Sequence, residues 1–451
     1  MIRLSDPELT PTRALKRALE CQQAGDVEGA EALYQWILGS YPRHFDALHH
    51  LGILKARSGL VQEALQFFSE ALRVNPHSAE AHLNLGHALA EAGRAEDAIA
   101  SYDRALASRP QFAEALYGQG NALQRLGRHE EALARYDRAL AIVPGRPEIL
   151  ANRGNTLHDL KRYDEALASY DRALAVMPGA ALLHINRANS LRELKRPEDA
   201  LASLDRALAI APEDVDALNN RGNILLDLRR YADALGSFDR AMARSPGDAV
   251  VHYNHGYALQ LLKRYEAALA SYEMALAIDP RLADALYGRG HVQYKLERYE
   301  EAVASFEKAL AISPEFEFGP GTLADARMRC CEWGARSDEV KQLVTDVRAG
   351  RTSAPPFTFL RMSDSPQDQL SCSRIWVRDK SPVLPTPLWS GERYRHDRIR
   401  LAYLSADFRV HPTSFLIAGM LEQHDRGRFE TIALSFGDDD QSGIRNRVKG
   451  A

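Results

Sequence analysis

Apolar and small residues recur along this chain in a fixed register. An alanine stands at Ala30, Ala64, Ala98, Ala132, Ala166, Ala200, Ala234, Ala268 and Ala302, and four residues after each comes a large apolar side chain, from Tyr34 and Phe68 through Tyr170 and Leu204 to Phe306. From Ala71 to Ala309 a further alanine follows three positions on. Spacings of four and three place these residues on one face, so each unit is predicted to contain a helix. Twelve residues before each alanine lies Gly or Ala, at Ala18, Gly52, Gly86, Gly120, Gly154, Ala188, Gly222, Gly256 and Gly290. These mark an earlier helix in each unit, whose small residue lets the two axes approach closely while the aromatic fills the gap to the next pair. Proline closes every unit at intervals of 34 residues, from Pro42 to Pro314. It ends the later helix because it has no N–H to donate and disfavours helix in the residue before it.

The stretch AEAHLNLGHALAEAGRAEDAIASYDRALASRP, from Ala79 to Pro110, resembles the tetratricopeptide repeat, and the resemblance spans nine consecutive units over residues 11–316. It implies a mainly α fold: a right-handed superhelix of nine helix pairs whose first helices line a concave groove. No unit is expected to be stable alone, because each leaves an apolar flank for its neighbour.

The period stops after Pro314. Residues 1–10 are expected to be an N-terminal tail and residues 317–350 two capping helices over the open end of the stack. Residues 351–397, rich in Pro and Ser, are a connector expected to pack through Phe357, Phe359 and Trp389. Residues 398–451 change character. Ile399 to Leu404 has strand composition, Pro412 suits a first helical position with His411 at the cap, SFLIAGMLEQH is spaced for a helix against a sheet, and Arg428 to Phe436 is a second strand. Strand, helix, strand predicts a βαβ unit, the incomplete start of a Rossmann-like domain.

Candidate chemistry falls in two places. Asparagines occupy one register of the first helices at Asn84, Asn152, Asn186, Asn220 and Asn254, and a register three positions later at Asn121, Asn155, Asn189 and Asn223. Side-chain amides stacked in this way can bond the main chain of an extended peptide without reading its side chains, so protein or peptide substrates are the expected groove ligands. The competing readings are a solvated polar face or bonds between neighbouring helices. Asn is a poor helix former that a plain exposed face would not favour. A second ladder, Arg153, Arg187, Arg221 and Arg289 against Asp103, Asp137, Asp171, Asp205 and Asp239, is expected to be structural. Glycines in YGQGNAL and YGRGHV are repeat positions rather than a phosphate loop. His49, His50, His82 and His87 lack metal-ligand spacing and are expected at the groove or surface.

Composition narrows the remaining classes. With 57 Lys plus Arg against 61 Asp plus Glu, the net charge of -4 supplies no overall attraction for nucleic acid or an anionic membrane. Four cysteines make neither a disulfide framework nor a metal pattern, and reduced, buried thiols are expected. Neither a signal-length apolar core nor a membrane-length run occurs, so a cytoplasmic chain is expected. A homodimer formed through a repeat face is compatible with the pattern.

The segments CCEWGARSDEV, APPFTFLRMSDSP and HDRIRLAYLSADFRVHPTSFLIAGMLEQHDRGRFETIALSFGDDD, together with the nine repeats, resemble bacterial protein O-GlcNAc transferases of the SPINDLY type. The resemblance implies a glycosyltransferase whose repeats deliver protein substrates for transfer of N-acetylglucosamine from UDP-GlcNAc to Ser or Thr, with no metal and no cofactor. The family's HPTS motif stands at His411, Pro412, Thr413 and Ser414, which places His411 near the acceptor hydroxyl and makes Asp407 a candidate supporting residue. The bland reading of His411 is a capping residue at a helix start. The chain ends at Ala451, where the family continues into the residues that hold uridine and diphosphate, so the 451 residues alone are expected to be inactive. The alternative from a different class is a non-catalytic scaffold that acts by binding partners.

Overall fold

The computed structural model describes residues 10–332, 336–380, 396–437 and 439–450. They divide into two compact units, Met1–Ile375 and Trp376–Ala451. In the first, nine helix pairs follow one another from α1 (Pro11–Gln23) and α2 (Val27–Ser40) to α17 (Ala283–Lys295) and α18 (Tyr299–Ile312). They form the superhelix that the period predicts.

Pairing rests on a wedge. In seven pairs the aromatic of the second helix is inserted under the glycine of the first, while Ala18 meets Tyr34 in the first pair and Ala188 meets Leu204 in the sixth; Tyr34, Phe68, Tyr102, Tyr136, Tyr170, Phe238, Tyr272 and Phe306 are all fully buried. A methyl group built on Gly86, Gly154 or Gly222 would meet the ring at 2.5, 2.5 and 2.4 Å, well inside van der Waals contact. The first helices of successive units also pack on one another, as α9 (Pro147–Asp159) does on α11 (Ala181–Glu193), whereas second helices pack on the first helix of the next unit. A stack that is tighter along its first helices curves toward them, which makes their outer residues the inner wall of a groove.

The turn within each pair needs one left-handed residue. Gly25, Gly59, Gly93 and Gly127 supply it in the first four pairs at φ between 72 and 81°, but Lys161, Lys195, Arg229, Lys263 and Glu297 hold the same turn in the last five at φ 57 to 60°. A side chain there costs about 1–2 kcal/mol, which the packing of the flanking helices offsets. After α2, whose N-cap Asp26 accepts from the Gly29 N–H, the second helices of the repeats start without a side-chain cap. In six of them the preceding arginine instead reaches the acid three residues on, as Arg162 does Glu165 at 2.7 Å and Arg196 does Asp199 at 2.7 Å, keeping a carboxylate at the positive end of the helix.

Beyond the repeats, α19 (Gly319–Arg329) and α20 (Arg336–Arg348) close the stack, with the Asp325 carboxylate accepting from the Tyr294 hydroxyl and pairing with Arg361 at 2.6 Å. The expected connector is largely part of this cap. Short helix α21 (Pro356–Phe359) and α22 (Pro366–Lys380) bury Phe359, Cys372 and Ile375 against Leu343 and Val347. Phe359 packs as expected, but Phe357, two residues away on the other side of the helical turn, is 83% exposed. Trp389 lies outside the described residues, as do residues 1–9 of the tail. Of the four thiols only Cys372 is buried; Cys331 is exposed and Cys21 and Cys330 are half-buried. His49 and His82 are buried rather than on the surface, each ring bonded inside the stack, His49 to Asn84 and His82 to the carbonyl of Pro76. No described helix is long and apolar enough to cross a membrane.

The second unit is a βαβ element followed by a helix: β1 (Ile399–Ser405), α23 (Pro412–Glu422), β2 (Phe429–Ser435) and α24 (Gly443–Gly450). The strands are parallel, with Ile399 opposite Phe429 and Ser405 opposite Ser435. Phe408, Ala418, Leu421, Ile444 and Val448 form its small core, while Leu404, Leu416, Leu434 and Phe436 stay at least half exposed.

Candidate functional site

The two asparagine registers are joined to each other across units. Asn152 Nδ2 donates to Asn121 Oδ1 at 2.9 Å and to the Tyr117 hydroxyl at 3.1 Å, Asn186 Nδ2 to Asn155 Oδ1 at 2.9 Å, and Asn220 Nδ2 to Asn189 Oδ1 at 3.1 Å. Bonds between neighbouring helices are therefore real, and they order the amides. They do not exhaust them. Each amide has a donor pair and an acceptor with two lone pairs, so the first register keeps Oδ1 and the second keeps Nδ2 for a ligand. All of these residues are half-buried.

Two ends of the row depart from the pattern. Asn254 is buried and donates to Asn219 Oδ1 at 2.8 Å, leaving Asn223 with no hydrogen-bond partner among the described residues. Asn84 pairs with His49 Nε2 at 2.8 Å, because the preceding unit carries Ile53 where an asparagine would stand. Sequence reasoning missed the tyrosines. Tyr136 donates to Asn121 Oδ1 at 2.7 Å and Tyr170 to Asn155 Oδ1 at 2.8 Å. Burial pushes both phenols well above their usual range, so they remain donors. The signal was available in principle: a buried tyrosine needs a partner for its hydroxyl, and Phe would have filled the wedge equally well.

The arginine ladder exists and is structural. Arg153 pairs with Asp137 at 2.6 Å, Arg187 with Asp171 at 2.7 Å and Arg221 with Asp205 at 2.8 Å. Each arginine also donates to a serine of its own unit's second helix, Ser169, Ser203 or Ser237. Among the described residues Arg289 keeps only the serine contact, to Ser305 at 3.0 Å. The ladder links successive second helices through the first and holds the register in which the amides meet.

In the smaller unit, His411 is the N-cap of α23, in extended backbone, and its Nδ1 accepts from the Thr413 N–H at 3.3 Å and lies 3.1 Å from Thr413 Oγ1. Pro412 follows at the first helical position, where a missing N–H costs nothing. Asp407 Oδ2 stands 3.7 Å from the same Nδ1, and Asp407 also faces Arg409 at 3.6 Å. Ser414, fully buried, donates to the Asp407 carbonyl at 2.5 Å and ties the helix start to the end of β1. The Asp440 carboxylate, from the loop after β2, accepts from the Val410 N–H at 2.6 Å. His411 and Asp407 are thus brought together at the carboxyl end of β1, next to a helix amino terminus, where parallel sheets place ligands. His411 Nε2 has no partner among the described residues. No group of metal-ligating side chains occurs among them either.

Both parts resemble known proteins. The tetratricopeptide repeat profile matches residues 15–79, 68–112, 83–147, 117–181 and 185–249, and further profiles of the repeat match 261–297 and 283–316. Glycosyl transferase family 41 matches residues 368–451. Among solved structures, the chain is similar to a MamA protein at 26% identity over 37% of this chain and 90% of that one, with a TM-score of 0.35. It is similar to a tetratricopeptide repeat protein from Parabacteroides merdae at 21% identity over 56% of this chain and 97% of that one, TM-score 0.42. It is also similar to the APC/C hetero-tetramer Cut9-Hcn1 at 18% identity over 71% of this chain and 65% of that one, TM-score 0.46. With the repeat profile matched over more than half its length, this chain belongs to the tetratricopeptide repeat proteins, and it carries a C-terminal segment that matches glycosyl transferase family 41.

Proposed function

We propose that the chain is the recruiting part of a cytoplasmic protein glycosyltransferase of the SPINDLY type: its inner wall holds an extended polypeptide by the main chain, and the turn at His411 contributes to the site where GlcNAc passes from UDP-GlcNAc to a Ser or Thr hydroxyl. The observation that carries the first half is the ordered amide row, in which half of each side chain's hydrogen-bonding capacity is spent on the neighbouring unit and half is left for a ligand. A peptide backbone offers an N–H and a C=O at every residue. A row of preordered acceptors and donors matches it whatever the side chains are.

For the transfer itself, the acceptor oxygen bonds to the anomeric carbon, the bond from that carbon to the diphosphate breaks with its electron pair leaving on UDP, and the hydroxyl proton needs an acceptor. His411 Nε2 accepts it only when Nδ1 carries the other ring proton. In the capped arrangement Nδ1 is itself an acceptor, so the working tautomer gives up the Thr413 bond and turns Nδ1–H toward Asp407. Asp407 in this scheme orients the ring and stabilises the imidazolium.

The test is binding first. A fluorescein-labelled extended peptide of Ser, Thr, Val and Gly is titrated with the purified chain and followed by anisotropy. Replacing Asn152, Asn186, Asn220 and Asn254 together by Ala is expected to weaken binding at least tenfold, at about 1 kcal/mol per lost hydrogen bond, with helicity unchanged. Equal affinity in the variant refutes the groove.

A further inference from the structure

One ion pair between first helices has no counterpart two units earlier. Along the first helices, Arg192 Nε pairs with the Asp227 carboxylate of the next unit at 2.7 Å. Two units earlier the same two positions are Gln124 and Asp159. Gln124 is turned to the wedge, where its Oε1 accepts from the Tyr136 hydroxyl at 3.0 Å. Asp159 is left with no lysine or arginine among the described residues; its one ionisable neighbour of opposite type is the His129 ring, 3.8 Å away. Its side chain is 44% exposed, accessible but not extended into bulk water.

That carboxylate lines a concavity of about 220 Å³ together with Asn155, His158, Tyr170, Asn186 and Asn189. The chemistry of the lining is uneven. Asn155 Oδ1 is taken by Tyr170 and Asn186, and His158 Nδ1 by Ser190 at 2.9 Å. Apart from the His129 contact of Asp159, the Asp159 carboxylate and Asn186 Oδ1 are acceptors left over for a ligand, beside the amide donors Asn155 Nδ2 and Asn189 Nδ2. A negative charge and an amide oxygen thus border a hollow of side-chain size, on the side of Asp159 that faces the next unit.

We infer that this hollow is a side-chain-reading subsite in an otherwise main-chain-reading groove, and that it takes a lysine or arginine of the bound polypeptide, whose cation pairs with Asp159 and donates to Asn186 Oδ1. The inference rests on the groove reading and deepens it: substrates slide along the amide row until a basic residue seats in the fifth unit. The pairing supplies from the partner what Arg192 supplies to Asp227 from within the chain. The charge-assisted bond to Asp159, whose side chain is 44% exposed, weakens with salt.

The test compares peptides that differ at one residue. The same Ser, Thr, Val and Gly peptide is made with a single central Arg, Lys, Gln or Glu and titrated into the full chain at low salt. The Arg and Lys peptides are expected to bind roughly tenfold tighter than the Gln peptide, and the Glu peptide weaker than all. Asp159→Asn should erase the basic preference while leaving affinity for the Gln peptide unchanged. Gln124→Arg, which restores the internal partner, should erase it too, and serves as the second variant because it adds a contact already tolerated at Arg192. Asn220→Ala with Asn254→Ala, outside the hollow, should weaken all four peptides alike. A basic preference that survives both Asp159→Asn and Gln124→Arg overturns the subsite, as does equal binding of the four peptides by the unaltered chain. If none of the four binds, the groove reading itself falls and the subsite with it.

Discussion

The wedge geometry makes two glycines of one helix pair respond in opposite directions to the same substitution. Gly222 lies in α13 (Val215–Asp227), and an added methyl would stand 2.4 Å from Cε1 and 2.5 Å from Cζ of Phe238, a ring with no exposed surface. Carbon contacts are comfortable at about 3.5–4.0 Å, so helix or ring must move by about 1 Å, which in a filled core costs about 1–3 kcal/mol. Gly236 lies in α14 (Tyr231–Arg244) of the same pair, exposed and with nothing within 4 Å of an added methyl. There Ala contributes only its helix propensity, about 1 kcal/mol in its favour. Gly236→Ala is therefore expected to raise stability by about 1 kcal/mol and Gly222→Ala to lower it by roughly 0–2 after the same propensity gain is credited, a gap of about 1–3 kcal/mol. Urea titrations followed by far-ultraviolet circular dichroism read the gap as a shift in midpoint at constant slope. Asn220, two residues before Gly222, donates to Asn189, so the displaced helix should also weaken peptide capture. A Gly222→Ala midpoint at or above that of Gly236→Ala refutes the wedge.

Three further outcomes follow from the same coordinates. Lys195→Gly relieves the left-handed turn between α11 and α12 (Pro197–Ile210) and should stabilise by up to about 1 kcal/mol, whereas Gly127→Lys in the equivalent earlier turn should destabilise by a similar amount; thermal midpoints decide. Burial against Tyr287 and Phe306, with Lys295 nearby, pushes the His291 imidazole down to about 4, so the unfolded chain binds the proton first and stability falls as pH drops from about 6.5, with about 3 kcal/mol lost once pH is below 4. His291→Asn should flatten that part of the pH profile, and an unchanged slope counts against it. His411→Ala should loosen the first turn of α23 by about 1 kcal/mol, read as faster amide exchange at Ser414 and Phe415, while His411→Asn keeps the cap and abolishes any proton transfer.

Much of this was legible in the chain. The 34-residue register alone names the nine pairs, the residues of the wedge and the point where the stack ends, because each depends on spacing within a helix or on the fixed chemistry of Gly and Pro. The His411–Pro412 start of α23 was legible for the same reason: a cap and a missing N–H are local matters. The connector was read too loosely, since short helices such as α21 carry less than one full period of pattern, and nothing in PPFTF says that Phe359 is inside and Phe357 outside.

What only the folded chain decided lies between units. The registers show that amides face one wall, but which amide meets which depends on contacts 31 to 35 residues apart, where Asn186 reaches Asn155 while Asn254 turns instead to Asn219. The left-handed turns at Lys161 to Glu297 are likewise hidden, because no local preference calls for them and the packing of the flanking helices imposes them. So too is the Asp159 carboxylate that no lysine or arginine of the described residues meets, visible only once Arg192 is seen to hold Asp227. Period and propensity belong to residues within a few positions of each other; hydrogen bonds between side chains across a stack depend on ångström-scale offsets that the helices acquire only when they pack.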